Sequence, residues 1–192
     1  MKPNVALGIN IPSATRLPGD RCMPKEIERK FLIDSDEWRK NADGGKKMRQ
    51  AIILSEPDRS VRVRLIDGKR ARLTVKIDCD TFSRHEFEYE IPMSDAREML
   101  QLANGSAIVK TRYEVPFKGF VWEVDVYEGA FAGLIVAEVE MKSEKDKPPL
   151  PPWVGIEVSD DRRFSNRAIA EGSLGKDWKQ LVQDKLERSA AV

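Results

Sequence analysis

Charge in this chain is sorted by sign and spaced by two residues. Glu86, Glu88 and Glu90 alternate with Phe87, Tyr89 and Ile91, and Glu123 and Asp125 with Trp122, Val124 and Val126. Glu138 and Glu140 alternate with Ala137, Val139 and Met141. Bases follow the same rule elsewhere: Arg62 and Arg64 among Val61, Val63 and Leu65, then Arg72, Thr74 and Lys76 among Ala71, Leu73 and Val75, then Lys110 and Arg112. Side chains on a strand switch face at every residue, so each segment is predicted to be a strand with its charge on one face and its apolar bulk on the other.

Like charges two apart on one strand face lie roughly 7 Å from each other and, at an effective dielectric near 20, repel by about 2 kcal/mol before screening. Ordinary antiparallel strands whose polar face meets water would feel little of this. Solvated surfaces, however, usually intersperse the two signs, and here they are segregated strand by strand. The pattern instead predicts a closed barrel turned inside out, with a charged lumen and an apolar outer face covered by helices. Its basic strands suit a polyanion and its acidic strands suit a divalent cation.

The 192 residues suffice for one domain with tails. Net charge is +1, from 33 basic and 32 acidic residues, so no global field favours nucleic acid or an anionic membrane, and anion specificity must be local. Charged residues make up 34% of the chain, above the usual quarter, and the lumen accounts for part of the surplus. Cys22 and Cys79 have no metal-ligand spacing, so a disulfide is not expected and a reducing cytoplasm fits best. No stretch approaches the roughly 18 apolar residues of a membrane span, and the short Val5 to Ile11 run does not read as an export signal.

Residues 1–22, with Pro3, Pro12, Pro18, Gly8 and Gly19, read as a disordered or extended tail, and Met23 is an alternative start. Strands are predicted at 25–34, 48–55, 61–65, 70–77, 85–91, 108–117, 120–127 and 135–142, with Asp67-Gly68 marking a tight hairpin. Ser35 or Asp36 is expected to cap a short helical turn, and Ser94 a helix from Asp95 to about Ala103 that Asn104-Gly105 stops. The Pro148 to Pro152 run is taken to close the strand region. Helices follow near 165–171 and 176–188, the last with an apolar stripe of Trp178, Leu181, Val182 and Leu186. The fold class is therefore α+β, an eight-stranded antiparallel barrel flanked by helices. The domain spans 23–170, with residues 171–192 a C-terminal helix packed on it.

Glu26-Ile27-Glu28-Arg29-Lys30 is an E-x-E-x-K pattern, weak alone. Followed in order by Arg62-x-Arg64, Leu73-Thr74-Val75-Lys76, Phe87-Glu88-Tyr89-Glu90, Lys110-Thr111-Arg112-Tyr113, Trp122-Glu123-Val124-Asp125 and Ala137-Glu138-Val139-Glu140, it resembles the CYTH family of triphosphate tunnel metalloenzymes. Within that family it looks most like the short bacterial inorganic triphosphatases, through the last strands and Arg163-Phe164-Ser165-Asn166. One departure stands out: these relatives usually carry a tyrosine on the second strand, where this chain reads Gln50-Ala51-Ile52-Ile53-Leu54.

The resemblance implies a tunnel that holds a small-molecule triphosphate and Mg²⁺ or Mn²⁺, and cleaves triphosphate to pyrophosphate and phosphate. Lys30, Arg62, Arg64, Lys76, Lys110 and Arg112 form the expected cationic cradle, with Arg72 toward a mouth. Glu26, Glu28, Glu138 and Glu140 are the expected metal ligands, hard oxygens of the kind magnesium requires. Glu88, Glu90, Glu123, Asp125 and Lys110 are the remaining catalytic candidates, the carboxylates for a second metal or for deprotonating water, with Glu86 at the rim. No nucleic-acid or membrane partner is expected, and homodimerisation stays open.

His85, the only histidine, has the opposite parity from the glutamates and reads as a surface or packing residue. Trp122, Phe87 and Tyr89 are expected to pack outside the barrel as core. No Walker loop, Rossmann fingerprint or Ser-His-Asp motif is present. Thiamine or nucleoside triphosphate hydrolysis and class IV adenylyl cyclase chemistry remain alternatives on the same site. A non-catalytic polyphosphate-binding module would need the bases but not so complete an acidic set, and a carrier of apolar ligands would need the apolar parity inside.

Overall fold

A computed structural model describes residues 27–78, 84–103, 107–143 and 145–190. The N-terminal tail, Met23, Glu26, both cysteines and Asn104-Gly105 lie outside them. Nine strands form one antiparallel sheet: β1 (Ile27–Ile33), β2 (Lys46–Glu56), β3 (Arg59–Ile66), β4 (Arg70–Asp78), β5 (Arg84–Glu90), β6 (Ile108–Phe117), β7 (Phe120–Tyr127), β8 (Ile135–Met141) and β9 (Val154–Glu157). Their order is β5-β4-β3-β2-β6-β7-β8-β1-β9. The antiparallel α+β expectation holds, with two differences. The strands number nine, not eight, and among the described residues the ladder does not close, since β5 and β9 are its edges.

The ninth strand escaped the sequence because it follows the proline run and spans four residues, too short for a periodic signal. It pairs with β1, and the guanidinium of Arg29 grips Glu157 at 2.6 and 2.8 Å. The Asp67-Gly68 hairpin is present, both residues at positive φ, as the two-residue turn between right-twisted strands requires. Lys118-Gly119 repeats the device between β6 and β7.

Register sets every lumen side chain on the same face. Lys30 lies opposite Glu138 and Glu28 opposite Glu140 across β1 and β8; Arg62 faces Thr74 and Ser60 faces Lys76 across β3 and β4; Arg112 faces Asp125 across β6 and β7. The convex face carries two apolar clusters. Phe31, Trp38, Val115, Trp122, Val124, Val139 and Trp153 form one, beside the 3-10 turn Asp36–Asn41, and Trp122 stands edge-on to Trp153 at 5.7 Å. Ala51, Val63 and Ala71 form the other, covered by α1 (Met93–Leu102) through Ala96 and Leu100.

The concave face is divided. Leu32, Ile108, Tyr127 and Val136 share the parity of the charged residues, yet are buried with Phe164, Ile169, Leu174 and Trp178 beneath α2 (Asn166–Ala170) and α3 (Trp178–Ala190). The Leu181, Val182 and Leu186 stripe thus covers one end of the concave face, not the outside of the barrel. Two further expectations fail. Ser94 does not cap α1; Pro92 holds that position and the Ser94 hydroxyl bonds Asp95 instead. Phe87 and Tyr89 are not core: on edge strand β5 they are 40% and 55% exposed, whereas Trp122 is fully buried.

Candidate active site

The charged half of the concave face encloses a cavity of about 380 Å³, within the range of small-molecule sites. Two walls of opposite character line it. On one side stand Arg62, Arg64, Lys76, Glu86 and Glu88 from β3 to β5, and on the other Glu28, Lys30, Arg112, Glu123, Glu138 and Glu140 from β1 and β6 to β8.

The second wall is knitted together. Asp125 is fully buried and takes a two-point grip from Arg112, Nε to Oδ1 at 2.7 Å and Nη2 to Oδ2 at 2.6 Å, while Lys110 bonds it from beneath. Arg112 also donates to Glu138 at 2.7 Å and to Glu123, and Lys30 reaches Glu138 at 2.5 Å and Glu28 at 2.8 Å. Burial favours the neutral acid, yet Arg112 and Lys110 hold Asp125 below its ordinary value, and Lys30, Arg112 and Lys110 hold Glu138 well below its own. Lys110 goes the other way: complete burial pulls it down to about 8 despite Asp125. Glu123 is raised, by burial and by the neighbouring charges of Glu138 and Asp125, against the pull of Arg112.

The first wall differs at Arg64. Arg64 is lowered to about 10 by burial and by Arg62 and Arg112 nearby, and its hydrogen bond goes to the uncharged Oε1 of Gln50 at 2.9 Å. Among the described residues no carboxylate forms an ion pair with it. Arg62 donates to Thr74 at 3.2 Å and lies 3.7 Å from Glu88, and Lys76 pairs with Glu86 at 2.8 Å. Asp125 and Glu88 act on Arg64 from farther off and do not offset its burial, so an anion in the space beside it is favoured.

Of the expected site residues, the structure gathers Lys30, Arg62, Arg64, Lys76, Arg112, Glu28, Glu88, Glu123, Glu138 and Glu140 around one cavity. Lys110 and Asp125 stand behind the wall, fully buried, and support it without lining it. Glu90 pairs in register with Arg72 on the rim, where Arg72 bonds Glu88 at 3.1 Å. Among the described residues no cluster of three or more His, Cys, Asp or Glu forms a ready-made metal cage. Glu28 and Glu140, opposite each other across β1 and β8, offer a pair of hard oxygen donors at the cavity. Ile52 also lines the cavity, placing an aliphatic side chain where the resemblance would put tyrosine.

Sequence reasoning missed Arg59, Ser60, Ser165, Asn166 and Arg167, which also line the cavity. Arg59 starts β3 off the alternating pattern, while Ser165 to Arg167 come from α2, which crosses the concave face and ties to β2 through Arg167 to the Glu56 carbonyl at 3.1 Å. The Arg163-Phe164-Ser165-Asn166 run was the available signal. It carries no periodicity that would aim a side chain at the cavity.

An antiparallel sheet with a cavity between a mainly basic and a mainly acidic wall is the site that this fold presents. The chain belongs to the CYTH-domain family, whose model matches residues 24–165. It is 43% identical over 150 residues to an inorganic triphosphatase of Acetivibrio thermocellus, covering 78% of this chain and 95% of that one. To an inorganic triphosphatase of Nitrosomonas europaea it is 34% identical over 152 residues, covering 76% and 96%. A crystal structure of an inorganic triphosphatase superposes with a TM-score of 0.57 at 30% identity, over 77% of this chain and 95% of that chain.

Proposed function

We propose that this protein hydrolyses inorganic triphosphate to pyrophosphate and phosphate with Mg²⁺ or Mn²⁺ as cofactor. The observation that carries this reading is the cavity itself: opposed cations and carboxylates, with Ile52 the single apolar side chain and no aromatic ring among the described residues that line it. The names of the relatives point the same way. The cytoplasm, where thiols stay reduced, suits a chain with two cysteines. Among the described residues no helix is long and apolar enough to cross a membrane.

Phosphoryl transfer depends mostly on positioning and on stabilising charge. Arg62, Arg64 and Lys76 receive phosphoryl oxygens from one side, and Lys30 and Arg112, held rigid by their carboxylates, face them from the other. A divalent cation held by Glu28 and Glu140 would neutralise further oxygen charge. Water attacks the terminal phosphorus, its oxygen bonds there, the bridging P–O bond breaks and pyrophosphate leaves. We assign the water's proton to Glu123, which lines the cavity and whose raised value makes it a better base than the clamped Asp125. Glu88 is left to orient Arg62 and Thr74.

Phosphate release measured across tripolyphosphate, thiamine triphosphate and ATP, with Mg²⁺ or Mn²⁺ and after chelation, tests this. Tripolyphosphate is expected to be the preferred substrate and chelation to abolish turnover; preference for either organic triphosphate would overturn the assignment. Glu140→Gln is expected to lose turnover while anion binding remains. A parent protein that binds tripolyphosphate without turning it over would instead be a binding module.

A further inference from the structure

The acidic wall poses a problem for the substrate that the basic wall does not. Phosphoryl oxygens approaching Glu28, Glu123, Glu138 and Glu140 are repelled, and the cations on that side, Lys30 and Arg112, already donate to those carboxylates. One donor on this wall is differently placed. Asn166, at the start of α2, lines the cavity. Its Oδ1 accepts from Lys110 Nζ at 2.9 Å and from Tyr127 Oη at 3.0 Å. An ammonium only donates, so the amide oxygen must face Lys110 and the amide nitrogen must turn the other way. Nδ2 consequently points toward Glu138, whose Oε1 lies 3.5 Å off, at the outer limit of a hydrogen bond. Among the described residues Nδ2 has no second acceptor.

The amide is also held still. Lys110 and Tyr127 are buried, the Ser165 hydroxyl accepts from Ala168 N at 3.1 Å to fix the helix start, and Phe164 and Ile169 anchor either side in the apolar cluster. We propose that Asn166 Nδ2 donates a hydrogen bond to a phosphoryl oxygen of bound triphosphate, so that the C-terminal segment contributes a binding residue to the tunnel. This rests on the triphosphate reading above and names a contact within that site. An uncharged donor suits the position: it meets an oxyanion beside carboxylates without the cost of burying a further charge.

Calorimetric titration of tripolyphosphate without metal into the parent and three variants tests it, alongside the melting temperature of each protein alone. Asn166→Asp keeps Oδ1 for Lys110 and Tyr127 but sets a carboxylate oxygen where Nδ2 faces Glu138, so it removes the donor and adds repulsion, and its affinity is expected to fall by more than about tenfold. Asn166→Ala is expected to lose about tenfold. Tyr127→Phe removes one of the two bonds to Oδ1 but leaves Lys110, so a smaller loss in the same direction is expected. Parental affinity in both Asn166 variants would overturn the proposal, whatever their melting temperatures. Binding that weakens as described in a protein showing no turnover would sink the hydrolase reading and leave this contact standing. Normal turnover with unchanged binding in the variants would do the reverse.

Discussion

The two walls of the cavity are built from the same alternating pattern but end in different states. On β6 to β8 and β1 every cation is tied to a carboxylate: Lys110 and Asp125 are fully buried, and Arg112 is shared among Asp125, Glu138 and Glu123. On β3 to β5 Arg62, Lys76 and Glu86 are paired as well, but Arg64, among the described residues, hydrogen-bonds only the neutral amide of Gln50. The difference teaches a division of labour. A wall whose cations are tied to carboxylates is rigid and gives up little on binding, whereas a wall with a buried cation outside any direct ion pair keeps its electrostatic capacity for a ligand. A fold that must hold a highly charged substrate in place benefits from both.

The largest effect should come from breaking the closed wall. Asp125→Asn leaves Lys110 and part of Arg112 buried without their carboxylate, and removing one partner of such a network costs about 3 to 5 kcal/mol. Urea denaturation is expected to show that loss, and a shift under about 1 kcal/mol would mean the wall is not held by this network.

Glu123 lies at the seam, exposed to the cavity and tied to Arg112. As the base it must be ionised, so kcat/KM should rise with pH through a value above the ordinary 4.5 of glutamate. Glu123→Gln should lower kcat by about 10²-fold or more and erase that limb of the profile. A pH profile unchanged by the substitution would move the base elsewhere.

A control outside both walls should give the smallest effect. Asp161 is lowered to about 2, chiefly by Arg163 with help from Lys185 on α3. Its contribution is present above the unfolded value of 3.8 and is lost as pH falls from there toward 2, because only the unfolded chain then takes up the proton. The ion pairs lie at the surface, with Arg163 about half exposed, so Asp161→Asn should remove under about 1 kcal/mol of acid-dependent stability and leave turnover unchanged.

Much of this was legible in the chain. Parity alone placed Arg62, Arg64, Lys76, Glu88, Glu123 and Glu138 on one face, because a strand can put residues two apart nowhere else. Depth was not legible. Lys110 reads like Arg112, yet sits where the apolar plug of α2 and α3 begins, and only tertiary packing turns a cradle residue into a buried support. For the same reason Phe87 and Tyr89 looked like core: alternation says which face a side chain takes, not whether anything covers it. Asn166 came from a segment without period, aimed by two hydrogen bonds from residues 39 and 56 positions away.

The division between walls is tested most directly by Arg64→Gln, which removes the cation that forms no ion pair among the described residues and keeps an amide donor for Gln50. Thermal unfolding of this variant and the parent, each with and without tripolyphosphate, is the measurement. The variant alone is expected to match the parent to within about 1 kcal/mol and to lose most of the stabilisation that tripolyphosphate confers. A variant that melts far below the parent yet gains full stabilisation from tripolyphosphate would contradict the assignment of Arg64 to the binding wall.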